Sequence, residues 1–196
     1  YYARGTPVLG AMPGDGSDFT TAPEMSPLFG ATLARQVAQA LSATGTDEVW
    51  EFGAGSGALA AQLLQALGGA VRRYSIVDLS GTLRLRQRER LAPFGDRVRW
   101  LDAWPDAMAG VVVGNEVLDA MPVQLLHFDG AQWFERGVAW QGGRFVFADR
   151  PTAQRPPVDA PFVPGTTTEI HPQAQAFVRS LAERLRVGAA FFVDYG

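Results

Sequence analysis

Val49-Trp50-Glu51-Phe52-Gly53-Ala54-Gly55-Ser56-Gly57-Ala58-Leu59-Ala60 decides how the rest of the chain is read. The apolar run up to Phe52 reads as a short buried strand; glycine then occupies every second position, and an apolar helix follows. Gly53, Gly55 and Gly57 have no Cβ, so the backbone there can take positive φ and a ligand can press against it. The helix that begins at this turn aims its unpaired amide groups and positive dipole end at whatever fills the turn.

The glycine spacing narrows the ligand. Dinucleotide-binding turns run Gly-x-Gly-x-x-Gly, with the third glycine set for close helix–strand packing under a pyrophosphate. Here the third glycine comes one residue early, and Glu51 lies at the end of the strand. An acid at that place suits a cationic ligand better than a pyrophosphate. A second acid, Asp78, closes the next apolar strand, Tyr74-Ser75-Ile76-Val77-Asp78, about where such folds set a carboxylate on ribose hydroxyls. A nucleoside carrying positive charge satisfies both features, and S-adenosylmethionine is the candidate they select. The glycines alone would equally suit an ordinary tight strand–helix turn.

Outside the turn, composition removes several classes of function. The 196 residues, 47% hydrophobic and 19% charged, suffice for one well-buried α/β domain. The absence of cysteine excludes a disulfide framework, a thiolate metal site and a cysteine nucleophile. With only two histidines, His127 and His171, no metal centre is expected. A net charge of −3 argues against a dedicated nucleic-acid partner. Every cationic residue is arginine, with no lysine, which reads as genome composition and suggests a bacterial protein, for which cytoplasmic residence is the expectation. No apolar run approaches the roughly 20 residues of a membrane span. The abrupt ends, Tyr1-Tyr2 and Asp194-Tyr195-Gly196, read as those of a fragment.

Along the chain, residues 1–23 form a Gly-, Pro- and Thr-rich arm. Ser26-Pro27 signals a helix start, and Leu28, Phe29, Leu33, Val37 and Leu41 continue at helical spacing to Gly45. Leu59, Leu63, Leu64 and Leu67 form the helix after the glycine turn, which Gly68-Gly69 stops. Beyond Asp78, Ser80 can cap a helix that Pro93 ends; its run Arg84, Arg86, Arg88 and Arg90 reads as a solvated face. Val98-Arg99-Trp100-Leu101 is a third strand, and Gly110-Val111-Val112-Val113-Gly114 a fourth that belongs inside a parallel sheet. From 123 to 149, aromatic residues punctuated by Asp129-Gly130 and Gly142-Gly143 indicate antiparallel hairpins. A proline-rich loop then runs to Gly165, Pro172 opens another helix, and Gly188 is expected to separate it from a terminal strand. The fold class is therefore α/β: a doubly wound, mostly parallel sheet with an inserted antiparallel β-element at 123–165. Ligands in such sheets bind beyond the strands' carboxyl ends, where Glu51, Asp78, Asp102 and Asn115-Glu116 converge.

With these residues assembled, the chain resembles the MidA-type class I S-adenosylmethionine-dependent methyltransferases. That family includes the mitochondrial complex I assembly factor that methylates an arginine. The resemblance rests on Gly16 to Ser26 (Gly-Ser-Asp-Phe-Thr-Thr-Ala-Pro-Glu-Met-Ser), the turn Glu51 to Gly57, and Asn115-Glu116-Val117-Leu118-Asp119-Ala120-Met121-Pro122-Val123. Thr168-Glu169-Ile170-His171-Pro172 and Asp194-Tyr195-Gly196 complete it, while Ser17 interrupts the family's usual Gly-Asp-Phe. It implies a single truncated Rossmann-like methyltransferase domain over 1–196, lacking the family's closing C-terminal strands.

The resemblance also implies roles. Glu51, Gly53, Ala54, Gly55 and Gly57 would hold the methionine and ribose portions of S-adenosylmethionine, and Asp78 with Leu79 the ribose hydroxyls. Asp102 and Ala103 would meet the adenine edge, Thr21 and Glu24 would close over the amino-acid end, and Asn115 would lie near the cofactor. Each has a plainer alternative: Asp102 could cap the loop before Pro105, and Glu24 could favour the following helix N-terminus. Glu116, Asp119 and Glu169 are the acids available to orient an arginine acceptor, although Asp119 could only cap the turn before Pro122. His171 reads as a helix-start residue ahead of a base. The implied product is S-adenosylhomocysteine, the implied partner a protein, with a complex I subunit as the candidate, and a homodimer is an open expectation. Eukaryotic relatives would work in the mitochondrial matrix. Two other readings stay open: methylation of a small molecule or RNA, and a non-catalytic assembly factor whose Trp133, Phe134 and Trp140 dock a partner.

Overall fold

A computed structural model describes residues 20–78 and 81–194. Leu79, the Ser80 cap, residues 16–19 of the N-terminal motif, and Tyr195-Gly196 lie outside the described residues. The chain divides into two compact units, one comprising residues up to Ala120 together with Leu181 onward, the other Met121–Ser180.

The first unit begins with a short helical turn, α1 (Ala22–Met25), and α2 (Pro27–Thr44). The start and stop of α2 are written locally. The Ser26 hydroxyl accepts the Leu28 amide at 3.2 Å, Pro27 occupies the first helical position, and Gly45 closes the helix at φ +66°. There follow β1 (Glu48–Phe52), α3 (Ala58–Leu67), β2 (Arg73–Val77), α4 (Gly81–Leu91), β3 (Val98–Leu101) and β4 (Met108–Asn115).

In the second unit β5 (Gln124–Phe128), β6 (Trp133–Gln141), β7 (Arg144–Pro151) and β8 (Thr167–Ile170) form an antiparallel sheet in the order β7-β6-β5-β8. Leu126, Trp133 and Ile170 are its buried centre, with Phe128 and Phe162 packed against them. The sheet reaches past residue 165, where the sequence reading ends the insertion, because Thr167–Ile170 supplies backbone partners to Gln124–His127. The chain then passes through α5 (Pro172–Arg184) into β9 (Leu185–Val193).

Gly188 does not separate helix from strand. It lies within β9, paired in register with Gly110 of β4, and a Cβ on it would collide with the Gly110 carbonyl. The missing side chain is what lets the two backbones pair there.

The main sheet is parallel throughout, in the order β3-β2-β1-β4-β9. Strand order changes direction between β1 and β4, which makes that pair the switch point of a doubly wound sheet. Val111, Val112 and Val113 are fully buried there, each contributing roughly 2 kcal/mol of apolar burial. On the core side Val37, Leu41, Leu59, Leu63 and Leu64 of α2 and α3 cover Val49, Tyr74, Ile76 and Val113. The helical period of the first group and the near-continuous apolarity of the second are what allow the two surfaces to meet.

Candidate functional site

At the carboxyl ends of β1, β2 and β4 the sheet opens into a cavity of about 290 Å³. Glu51 and the turn Gly53–Ser56 line it from β1, Asp78 from β2, and Asn115, Glu116 and Val117 from β4. Thr21, Pro23 and Glu24 line it from the N-terminal segment, and Leu83 from α4.

The turn has the strained backbone its glycines foretell. Gly53, Gly55 and Gly57 sit at φ +64°, +54° and +83°, and the Gly57 amide donates to the Ala54 carbonyl at 2.8 Å. A Cβ on Gly53 would stand 3.1 Å from Val117 Cγ2, so the loop after β4 closes directly over the turn. Gly57 serves packing: α4 passes close beneath it, with Gln87 Cα 3.4 Å from where a Cβ would be.

Glu51 is buried, 2% exposed, and its carboxyl accepts the Tyr74 hydroxyl at 2.8 Å. Desolvation pushes its pKa up to about 8; the Tyr74 hydrogen bond acts downward and the neighbouring Asp78 charge upward. Burial, reinforced by Glu51, holds the Tyr74 hydroxyl well above its usual range. No cationic side chain pairs with Glu51 among the described residues, and the cavity lining carries four acids, Glu24, Glu51, Asp78 and Glu116, which suits a positively charged guest.

The raised pKa has a consequence for stability. The folded protein holds the Glu51 proton more tightly than the unfolded chain, whose pKa is near 4.5, so this group's stabilisation is complete below that value and is lost as pH rises toward about 8. Glu51→Gln keeps a neutral group in place and flattens that part of the profile. Urea midpoints measured across the window check this; an unchanged slope in the variant would mean that Glu51 is ionised throughout.

The N-terminal segment is tied over the turn by three side chains. The Glu24 carboxylate accepts the Ser56 hydroxyl and Arg90 Nη1, the latter at 2.8 Å. Gln62 of α3 accepts the Gly30 amide at 2.9 Å and donates to the Pro23 carbonyl at 2.7 Å, fixing α1 and α2 against α3. The arginine run is exposed at Arg86, Arg88 and Arg90, as a solvated face would be, and it also makes contacts within the unit. Arg90 holds Glu24, Arg84 donates to the Asp78 carbonyl at 2.9 Å and pairs with Asp102 at 2.6 Å, and Arg88 lies over the Trp100 ring.

After β4 the backbone turns sharply. Glu116 takes φ +52°, which a residue with a side chain adopts rarely and at functional sites often. Its amide donates to the Val193 carbonyl at 2.9 Å, and Asn115 Nδ2 donates to its carboxylate at 3.2 Å. The Asp194 carboxylate accepts the amides of Leu118 and Asp119 at 2.9 and 3.2 Å and so caps this loop from the end of β9. Burial, with the Asp194 charge in second place, raises the Asp119 pKa.

The structure thus brings Thr21, Glu24, Glu51, Gly53, Ala54, Gly55, Asp78, Asn115 and Glu116 to one cavity. Gly57, Asp102, Ala103 and Asp119 stand outside its lining. Asp102, 84% exposed, is taken up by Arg84, and Ala103 is exposed beside it. Glu169 is an exposed residue of β8, opposite Leu125 in the second unit. In that unit His171 Nε2 sits 3.0 Å from the Met121 carbonyl, the structural role expected at a helix start. Gln87, absent from the sequence reading, is fully buried and bonded to both the turn and Asp78. One signal could have found it: Leu83, Gln87 and Leu91 share one helical stripe.

A family model described as "Putative S-adenosyl-L-methionine-dependent methyltransferase" matches residues 32–196. The chain belongs to this methyltransferase family. Its methyltransferase relatives include a COG1565 superfamily protein from Burkholderia thailandensis, solved bound to S-adenosyl-homocysteine, which is 55% identical with a TM-score of 0.86. That match covers 96% of this chain and 52% of the other. A native crystal structure of a COG1565 protein from the same organism is 54% identical, with a TM-score of 0.81, and the match covers 98% and 54%. The "Protein arginine methyltransferase NDUFAF7 homolog, mitochondrial" of Caenorhabditis elegans is 30% identical over 149 residues, 60% of this chain and 34% of that protein. The chain therefore spans about half the length of the solved relatives and a third of the nematode one.

Proposed function

We propose that this cavity holds S-adenosylmethionine and that the protein transfers its methyl group to an arginine of another protein, with S-adenosylhomocysteine as the product. The observation that carries the cofactor assignment is the buried Glu51 carboxyl, unpaired with any cation among the described residues, above a glycine turn in a cavity shared with Asp78. A cationic amino acid joined to a ribose fits that lining: a bound positive charge would draw Glu51 toward its ionised form, Gly53 to Gly55 give the backbone room, and Asp78 offers a carboxylate to hydroxyls. The S-adenosyl-homocysteine bound by the 55% identical Burkholderia relative supports the same reading.

When bound, the cofactor supplies a methyl group on a positively charged sulfur that leaves as a neutral thioether. The protein's work is alignment and the handling of charge. Thr21 and Glu24 close the amino-acid end, with Glu24 steadied by Ser56 and Arg90. Asp102, Ala103 and Leu79 belong to the proposed adenine and ribose contacts, and Gly57 to the packing beneath the turn.

An arginine acceptor is planar and always charged, so carboxylates must orient it before its nitrogen loses a proton and gains the methyl. Glu116 lines the cavity on a strained backbone, which favours it for that task; Asp119 and Glu169 are the further acids proposed. Glu116→Gln is expected to lower kcat by roughly 100-fold, with a smaller change in the cofactor KM. Steady-state kinetics check this, and an unaltered kcat removes Glu116 from the acceptor site.

The arginine acceptor and a role in complex I assembly draw support from the nematode relative's name and from the motif resemblance. The RNA reading would use the exposed arginines of α4, of which Arg88 and Arg90 also contact protein groups. Bacterial origin and cytoplasmic residence are part of the same proposal; no helix among the described residues is long and apolar enough to cross a membrane. Full-length protein incubated with methyl-labelled S-adenosylmethionine and a cell extract tests the whole reading. Label on a protein arginine, in a complex I subunit, is expected; label confined to RNA or small molecules, or none, overturns it.

A further inference from the structure

The structure assigns Gln87 as the residue that sets the ribose-binding carboxylate and the glycine turn in register with one another. This rests on the S-adenosylmethionine reading of the cavity given above.

Gln87 is fully buried in α4, a helix otherwise rich in charge. Its side-chain amide has two N–H donors and one carbonyl acceptor, and each has a partner. Nε2 donates to the Gly55 carbonyl at 2.9 Å and to Asp78 Oδ2 at 2.8 Å. Oε1 accepts from Trp100 Nε1 at 2.9 Å, and Trp100 is in turn covered by the Arg88 guanidinium, 5.4 Å from its ring centroid. One buried amide therefore spans β2, the turn after β1, and β3.

The chemistry needs such a link. Asp78 follows the last residue of β2, where the strand no longer fixes its side chain, and Gly55 belongs to a turn whose residues can visit many conformations. A donor locked to both removes those freedoms together. This bond turns Asp78 Oδ2 toward the helix, while Asp78 also lines the cavity. The amide is orientated by its own acceptor: Trp100 donates only, so the carbonyl must face β3 and the NH₂ group must face the site. An aspartate or glutamate at position 87 would set a second acceptor against Asp78, whereas an aliphatic residue would remove a hydrogen-bond partner from three part-buried polar groups at once. Gly57 takes the φ of +83° that carries the turn past α4, with Gln87 Cα and Cγ at contact distance, 3.4 and 3.5 Å, from where a Cβ would stand.

A positioning residue of this kind is distinguished from a structural one by ligand. Full-length wild-type protein and Gln87→Met are titrated calorimetrically with S-adenosylhomocysteine and with its 2′,3′-dideoxyribosyl analogue. Wild type should prefer the parent compound, and Gln87→Met should weaken both ligands through the turn but lose about tenfold or more additional affinity for the parent, so that the preference disappears. Trp100→Phe, which removes only the bond at the far end of the amide, keeps the test decisive should Gln87→Met not fold; it should show the same selective loss at smaller size. Equal weakening for both ligands, or no change for either, in the variant that folds overturns the assignment. A wild-type protein that binds the parent compound but does not discriminate it from the analogue overturns it too. Failure of wild type to bind S-adenosylhomocysteine at all removes the cofactor reading and this inference together.

Discussion

Gly53→Val should cost roughly 100-fold in affinity for S-adenosylhomocysteine. Gly53 holds φ +64°, a conformation that a β-branched residue adopts only under strain. Its missing Cβ leaves room against Val117, where an added carbon would stand 3.1 Å from Cγ2. A valine carries two further carbons into that gap and must displace either the loop after β4 or the turn itself. Both line the cavity, so any relaxation moves its walls. Gly53→Ala, with the same backbone demand but one carbon, should lose about tenfold. Calorimetric titration of the two variants gives the ratio. Wild-type affinity in Gly53→Val would mean that the turn is not the floor of the cofactor site.

Asp78→Ala should weaken the same ligand by a comparable factor, for an electrostatic reason. A carboxylate accepting hydroxyl hydrogen bonds forms the stronger, charge-assisted kind, each worth about 2 kcal/mol when shielded from water. The alanine variant removes the acceptor and also leaves Gln87 Nε2 without one of its partners. Asp78→Asn, which keeps the shape and one oxygen, should fall between. A second effect follows in the pH profile. The Asp78 charge is one cause of the raised Glu51 pKa, so Asp78→Ala should move the Glu51 titration downward from about 8. Wild-type binding in Asp78→Ala would remove the ribose assignment while leaving the fold untouched.

What could be read from the sequence was local. Glycine at every second position after an apolar strand foretells the turn, Ser26-Pro27 and Gly45 mark the ends of α2, and Val111 to Val113 place β4 inside a parallel sheet. The tips of β1, β2 and β4 meeting at one cavity follow from strand order, which the alternation of strands and helices implies. What could not be read depends on contacts between distant residues. The alternating arginines of α4 read as a solvated face and three of them are exposed, but their ion pairs, Arg84 with Asp102 and Arg90 with Glu24, lie beyond reach of sequence pattern. Gln87 looks like one more polar residue of a polar helix until α4 packs beneath Gly57. The Glu116 backbone carries no signature in residue type, since contacts with Val193 and Asp194, at the far end of the chain, help hold the loop in that shape. Thr167–Ile170 joins the antiparallel sheet through a partner strand some forty residues earlier, with a proline-rich loop between them.

A crystal of the full-length protein grown with S-adenosylhomocysteine addresses the central claim most directly. The account predicts the nucleoside in the cleft between the ends of β1, β2 and β4, its ribose on Asp78 and its amino-acid end toward Glu51 and Glu24. Density for the ligand elsewhere, or that cleft closed by protein side chains while the protein still binds the compound in solution, would contradict it.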